Sequence, residues 1–407
     1  MRAYERFLRY VTYGTQSSET SGAHPSTPSQ LQLADLLVRE LREMGVSAER
    51  DDFSYVYAKI PATPGLEERT AIGFISHLDT SPDAPGDGVK PQLHQNYDGG
   101  DLPLGESGLV LRVADFPHLP SLKGRTLITT DGTTLLGADD KAGVAEIMTL
   151  AEALTSGRLP HGPVSLSFTP DEEIGEGADR FDVERFGARF AYTVDGDREG
   201  GVEYETFNAS AASVSVRGLS VHPGSAKDTM INASLAAMEF HALLPACDAP
   251  RYTEGYEGFY HLTEMKGDVS EATLSYIIRD HDAARFAMRE DTMRRAAALL
   301  NERYGEGTVS LSIKEQYRNM AEKILPHEKI LEIARRAARD AGVEPFTVPI
   351  RGGTDGARLS FMGLPCPNLG TGGYAFHGPY EHTTVEGMDL AAAILSHIVR
   401  ACAEQNI

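Results

Sequence analysis

Cysteines are few in this sequence and are poorly placed for cross-linking. Only three occur in 407 residues, at Cys247, Cys366 and Cys402, and no Cys-x-x-Cys pair is present. An odd number of widely spaced cysteines argues against a disulfide scaffold and against a cysteine-based zinc site. We therefore expect a cytoplasmic protein.

Long apolar runs and an excess of basic residues are also missing. No window reaches the roughly 18 consecutive apolar residues of a membrane span, and residues 1–10 lack the apolar core of a secretory signal. Lys and Arg number 38 against 59 Asp and Glu, which gives a formal net charge of −21. Such a surface repels phosphate groups, so we expect neither nucleic acid nor a membrane as a partner.

The first 200 residues alternate between strand-like and helix-like segments. Apolar runs predict strands over 71–77, 126–130, 164–169 and 190–194, and apolar periodicity predicts helices over 30–44 and 141–155. Apolar strands separated by helices are typical of an α/β domain with a mostly parallel mixed sheet.

The middle of the chain follows a different pattern. Strands are predicted over 211–217, 258–265, 273–279 and 308–313, and helices over 232–244 and 282–304. This β-α-β-β-α-β order is that of a ferredoxin-like unit. We therefore predict that a small domain, 207–318, is inserted into a larger domain formed by 1–206 and 319–407.

Four groups of polar residues follow predicted strands or open loops, where open α/β sheets place their ligands. The groups are His77 with Asp79, Asp139 with Asp140, the acidic turn 171–173 with Asp195, and His377. Each group alone has an ordinary alternative, such as a surface histidine, acids at a helix start or a solvated turn. Together they supply the mixed histidine and carboxylate ligands that suit zinc, manganese or cobalt.

Spacing accounts for part of this chemistry. His77 and Asp79 are two residues apart on a strand and face the same side, so the carboxylate can orient the imidazole. Three acids at the end of an apolar strand are costly to bury unless a cation lies beside them. A carboxylate left free there can act as general base towards a metal-bound water. Spacing alone thus supports metal-assisted hydrolysis of an unspecified substrate.

Four motifs carry a more specific resemblance. They are SHLDT at 76–80, LLGADDKAG at 135–143, TPDEEIG at 169–175 and RGGTDG at 351–356. Over nearly its whole length the chain resembles the tripeptide aminopeptidases of the two-zinc peptidase and amidohydrolase family, which includes carboxypeptidase G and succinyl-diaminopimelate desuccinylase. The resemblance implies a zinc-binding catalytic domain, a lid domain at 207–318 that also forms a homodimer, and release of the N-terminal residue from unblocked tripeptides.

The resemblance also implies a role for individual residues. Two Zn²⁺ ions per subunit, replaceable by Mn²⁺ or Co²⁺, are implied, with five ligands: His77 and Asp195 on one ion, Glu173 and His377 on the other, and Asp139 bridging both. Asp79 is implied to orient His77, and Glu172 to act as the general base.

Three residues resemble the substrate-binding set of the family. His222 is implied to polarise the scissile carbonyl, often across a dimer. Arg279 and Arg351 suit the carboxylate of a small peptide, because guanidinium binds carboxylate in a bidentate manner. An N-acyl amino-acid amidohydrolase or a carboxypeptidase would use the same metal ligands, and both remain open. A peptide-binding protein without catalysis is a remoter alternative, because the ligand set and Glu172 are complete.

Overall fold

The computed structural model of this chain describes residues 1–405. The chain divides into a larger unit, formed by Met1–Tyr204, Glu322–Val348 and the residues from Thr354 onward, and a smaller unit. The smaller unit comprises Glu205–Ala321 and Pro349–Gly353. The short segment 349–353 thus differs from its predicted placement in the larger domain. It joins the smaller unit because the Ile350 N–H donates to the Glu205 carbonyl and the Ile350 carbonyl faces His281 Nε2.

Helices and strands follow one another along the chain. Within residues 1–405 the helices are α1 (Ala3–Tyr10), α2 (Ser29–Glu43), α3 (Ala138–Thr155), α4 (Val183–Phe186), α5 (Ala233–Ala242), α6 (Ala283–Tyr304), α7 (Ala321–Ile324), α8 (Glu328–Asp340), α9 (Asp355–Phe361) and α10 (Val385–Glu404). The strands are β1 (Ser47–Arg50), β2 (Val56–Ile60), β3 (Ile72–His77), β4 (Gln92–His94), β5 (Leu102–Pro103), β6 (Val110–Leu111), β7 (Leu127–Thr129), β8 (Val164–Thr169), β9 (Phe190–Gly196), β10 (Val202–Glu203), β11 (Asn208–Arg217), β12 (Phe259–Gly267), β13 (Glu271–Asp280), β14 (Val309–Tyr317), β15 (Asn368–Gly370), β16 (Gly373–Tyr374) and β17 (His382–Thr384).

A seven-stranded sheet forms the centre of the larger unit. Its strand order is β1-β2-β8-β3-β9-β15-β10. The four central strands β8, β3, β9 and β15 pair in parallel, and the outer strands pair antiparallel. Every residue of β3 and β8 is buried, as expected of parallel strands covered on both faces. The predicted α/β class with a mixed sheet, parallel at its centre, is confirmed.

The parallel strands bring their carboxyl ends to one edge of this sheet. β3 ends at His77, β8 ends at Thr169 just before the acidic turn, and β9 contains Asp195 at its end. The N-terminal segment runs beside this edge: the Thr80 N–H donates to the Thr15 carbonyl, and the buried Lys141 Nζ donates to the Tyr13 carbonyl. Residues that are distant in sequence from the strands therefore line this edge of the sheet.

The smaller unit has the predicted β-α-β-β-α-β order. Its sheet has the strand order β12-β13-β11-β14 with every pair antiparallel, which is the ferredoxin-like arrangement. Helices α5 and α6 pack on the sheet around a core that includes Phe240, Tyr276 and Leu300. The side chains of Asn232 and Asp282 cap the two helices by accepting backbone N–H groups of their first turns.

Neither a membrane span nor a disulfide is found in the part of the chain that the structure describes. Among residues 1–405 no helix combines the length and the apolarity needed to cross a bilayer. Cys366 and Cys402 are buried as free thiols, and Cys247 is exposed.

His118 and His382 form a stacked pair at the start of β17. His382 is fully buried, its Nδ1 lies 2.7 Å from the Tyr380 carbonyl, and its Nε2 lies 2.8 Å from His118 Nε2. Because Nδ1–H donates to the carbonyl, Nε2 accepts from His118. Burial lowers the pKa of His382 to about 4.

We predict that His382→Gln weakens the acid sensitivity of the fold. Between about pH 6.5 and 4 the unfolded chain protonates His382 while the folded chain does not, so wild-type stability falls as pH decreases. The variant should lose on the order of 3 kcal/mol less across this range. Urea unfolding of metal-free protein at several pH values measures the difference, with His327→Gln at an exposed site as control. Equal pH dependence in wild type and His382→Gln would contradict it.

Candidate metal centre

The end of β3 supplies a histidine whose orientation is held by a carboxylate. His77 Nδ1 lies 3.0 Å from the Asp79 carbonyl and 3.3 Å from Asp79 Oδ1. The same carboxylate accepts the backbone N–H groups of Glu172 at 3.0 Å and Glu173 at 3.2 Å. Asp79 therefore orients the imidazole and the acidic turn together, and it leaves His77 Nε2 directed at the remaining acids.

Asp139, at the start of α3, lies between two imidazoles. Its Oδ1 is 2.8 Å from His77 Nε2, and its Oδ2 is 3.3 Å from His377 Nε2. One oxygen thus faces each histidine. This is the arrangement in which a carboxylate can bridge two cations.

Glu173 and Asp195 complete the two sides of this arrangement. Glu173 Oε2 lies 3.0 Å from His377 Nε2, and Asp195 Oδ1 lies 3.4 Å from His77 Nε2. The second oxygen of Glu173, Oε1, is buried and has no hydrogen-bond partner among the described residues. A buried carboxylate oxygen without a donor is costly, and a cation would supply what it lacks.

The structure brings all seven predicted metal-centre residues to this edge, with two features that spacing did not indicate. Ligand atoms of His77, Glu172 and Asp195 lie within 4.8 Å of one another, as do those of His77, Asp139 and Glu173. Glu172, predicted as a base, is therefore close enough to contact a cation. His377 lies at the rim, with a side chain 42% exposed and a left-handed backbone at φ 65°.

The electrostatics of the centre favour positive charge. Burial opposes protonation of His77, but Asp195, Asp139 and Asp79 outweigh it and raise its pKa well above the usual value. Burial, followed by repulsion from Asp139, raises the pKa of Glu173 to about 8. These acids are therefore crowded beyond what the two imidazoles neutralise, and a cation relieves the repulsion.

The donor set fits zinc. Two ligand atoms at about 2.0–2.2 Å from one tetrahedral zinc ion lie roughly 3.3 Å apart. The distances from His77 to Asp195, 3.4 Å, and from His377 to Asp139, 3.3 Å, match that value. The other two pairs, at 2.8 and 3.0 Å, are a few tenths of an ångström shorter. Imidazole and carboxylate ligands suit zinc, manganese and cobalt alike, so the donors do not select the metal.

The three predicted substrate-binding residues lie in the smaller unit. His222 is exposed, and its Nδ1 accepts the Gly224 N–H at 3.1 Å. Arg279 Nη1 donates to the carbonyls of Ser210 and Ile278. Arg351 already donates through both Nη atoms to the carbonyls of residues 253, 255 and 257 and to the Thr253 hydroxyl.

Three buried acids beside the centre, Asp140, Asp171 and Glu381, were given no individual role by the sequence reasoning. The Asp140 carboxylate contacts the Ser76 hydroxyl and accepts the His77 N–H, and Asp171 accepts the Ser26 N–H. Glu381, which is 1% exposed, accepts three backbone N–H groups around Asp139. Asp140 and Asp171 lie inside the acidic motifs, but a sequence does not reveal which acid of a motif points inward; Glu381 lies outside those motifs.

The family follows from comparison with known proteins. The family model described as peptidase family M20/M25/M40 matches residues 130–401. The chain therefore belongs to this peptidase family, which makes it an enzyme of the hydrolase class. Within the family it is similar to proteins named peptidase T: that of Desulfitobacterium hafniense is 54% identical over 404 residues, with 99% of this chain and 98% of that protein covered.

Two solved structures share the fold. One is the aminopeptidase PepT from Bacillus cereus, with a TM-score of 0.79, and the other is a tripeptidase from Staphylococcus aureus, with a TM-score of 0.78. Each is 22% identical, with 99% of this chain and 98% of the other covered. The family predicted from the four motifs is confirmed by the family model and by the similarity to peptidase T proteins.

We predict that Asp79→Asn destabilises the metal-free protein. An asparagine offers one acceptor oxygen to the Glu172 and Glu173 N–H groups and turns its own N–H₂ towards the other donor. The N–H group of either Glu172 or Glu173, both partly buried, then loses its acceptor. This loss should cost about 1–3 kcal/mol of unfolding free energy. Asp182→Asn is the control, because asparagine caps a helix about as well as aspartate. Equal stability of the two variants in urea would refute this role of Asp79.

Proposed function

We propose that this chain is a two-metal aminopeptidase that removes the N-terminal residue from unblocked tripeptides. The observation that carries the proposal is Asp139, whose two carboxylate oxygens each face a different histidine. The similarity to peptidase T supports the substrate class.

In this proposal the ligands divide into two sets. His77 and Asp195 would hold one zinc ion, Glu173 and His377 would hold the other, and Asp139 would offer one oxygen to each. Bound zinc lowers the pKa of a water ligand towards about 7 and polarises a carbonyl. The Asp79 carboxyl group and its carbonyl accept from His77 Nδ1, which leaves the lone pair of Nε2 for a metal.

Glu172 is the proposed proton carrier. Burial and repulsion from Asp195 raise its pKa well above the usual value, so its carboxylate holds a proton more readily than an exposed glutamate. It takes the proton from the attacking water and delivers it to the amine nitrogen as the C–N bond breaks. The Asp79 carboxylate fixes its backbone by accepting the Glu172 N–H.

His222 is the proposed donor to the developing oxyanion. Because its Nδ1 accepts the Gly224 N–H, the neutral imidazole carries its proton on Nε2, where it can be donated. Arg279 and Arg351 are proposed to bind the peptide carboxylate. The Nη atoms of Arg351 already hold the loop 253–257, so a carboxylate would have to use its Nε or displace that loop.

The remaining proposals concern assembly and location. We propose that 207–318 serves as a lid and as the contact of a homodimer, as the family resemblance implies. The free thiols support a reducing compartment such as the cytoplasm.

Two substitutions separate the proton carrier from a metal ligand. Glu172→Ala should keep two metal ions per chain and lose at least about 10²-fold in turnover, the lower range for acid–base catalysis. His377→Ala should instead lower the metal content. Metal analysis of dialysed protein, alongside peptide hydrolysis rates, measures both. Retained turnover in Glu172→Ala, or unchanged stoichiometry in His377→Ala, would show the assigned role to be wrong.

The reaction itself is tested by product analysis of one unblocked tripeptide. Zinc-loaded protein should release a free N-terminal residue and a C-terminal dipeptide, and chelation should abolish the release. Release of the C-terminal residue would indicate a carboxypeptidase. No cleavage by protein with bound zinc would favour an N-acyl amidohydrolase or a peptide-binding protein.

A further inference from the structure

Glu381 is a buried acid with no place in the mechanism above. Its side chain lies in the larger unit and is 1% exposed. Its Oε2 accepts the N–H groups of Leu136 at 2.7 Å and Gly137 at 2.8 Å, and its Oε1 accepts the N–H of Asp139 at 2.9 Å. A carboxylate is suited to this position because it accepts from several donors and donates to none.

All three donors come from one short backbone segment, residues 136–139. They belong to the turn that leads into α3, where backbone N–H groups lack partners one helical turn back. Gly137 holds this turn in a left-handed conformation at φ 78°. Successive N–H groups of such a turn form a concave anion-binding surface, and Glu381 occupies it.

The same acid is connected to the other ligand loop. Glu381 follows His377 by four residues, and its own N–H donates to the Gly378 carbonyl at 3.1 Å. This hydrogen bond closes the loop 377–381 into a turn, and the Glu381 side chain binds the backbone of the segment 136–139. Glu381 thus links the backbones that carry Asp139 and His377, whose ligand atoms lie 3.3 Å apart.

We propose that Glu381 is a positioning residue that sets the spacing of Asp139 and His377 and so allows the second metal ion to bind. The inference rests on the proposed two-metal function. His77 is buried at the end of a buried strand, whereas His377 lies on a loop with its side chain 42% exposed. The ion that uses His377 therefore depends most on this link.

The test uses Glu381→Gln, which preserves the size of the side chain. The amide can accept through one oxygen only, and its N–H₂ group confronts at least one of the three donors. Removing a residue that hydrogen-bonds to a metal ligand and holds it in place typically costs 10–100-fold in metal affinity. We expect a loss of that size in one of the two binding constants, and a changed visible absorption spectrum of the Co²⁺-loaded protein.

Glu386→Gln is the matched control. Glu386 is the same residue type five positions later, and its carboxylate also accepts a backbone N–H, that of Thr126 at 2.8 Å. That segment carries none of the proposed ligands. Calorimetric titration with Co²⁺ should give wild-type constants for this variant. Thermal unfolding of each metal-free variant separates a loss of ligand spacing from a general loss of stability.

The outcomes distinguish this inference from the proposed function. If the wild-type chain binds fewer than two Co²⁺ ions, the proposed function fails. If it binds two and Glu381→Gln binds both with unchanged constants and spectrum, the positioning role alone is overturned. If Glu381→Gln does not fold, Glu381→Asp, which withdraws the carboxylate by one methylene, is measured in its place with the same two readings.

Discussion

The structure of the larger unit depends on the balance of negative charge around one buried edge of a sheet. Four carboxylates, those of Asp139, Glu172, Glu173 and Asp195, share this edge with His77 and His377. Burial and mutual repulsion raise the pKa values of Glu172 and Glu173, and the two imidazoles neutralise only part of the negative charge. A fold that tolerated this crowding without a cation would lose stability, so the centre and the capacity to bind metal are two aspects of one constraint.

The fold meets that constraint by bringing the side chains together from neighbouring strand ends, from the start of α3 and from the loop that carries His377. Parallel strands deliver His77 and Asp195 from adjacent positions, and the acidic turn follows the strand on the other side of His77. Backbone N–H groups then hold the acids in place, as with Asp79 beneath the turn at 172–173. The side chains proposed to hold the peptide lie in the other unit. The proposed metal ligands and the proposed peptide-binding side chains therefore come from different units of the chain.

Much of this could be predicted from the sequence, because the informative residues form short local patterns. Apolar runs predicted the strand 164–169 to the residue, and the motif DEE at 171–173 marked its end. The sequence did not reveal the contacts between residues that are far apart in the chain. The segment 349–353 joins the smaller unit through hydrogen bonds with Glu205 and His281, more than 60 residues away in both cases. Glu381 was given no role for the same reason, since its partners lie about 240 residues earlier.

The long insertion between β9 and β15 also sets an order in time. The smaller unit is nearly contiguous and closes its own core, so it can fold soon after it leaves the ribosome. The central sheet is complete only once β15 has been synthesised, because β15 pairs with β9 and the chain between them is made first. His377 and Glu381 arrive later still. If His377 and Glu381 act as proposed, a nascent chain carries an incomplete metal centre until residues 377–381 have been made.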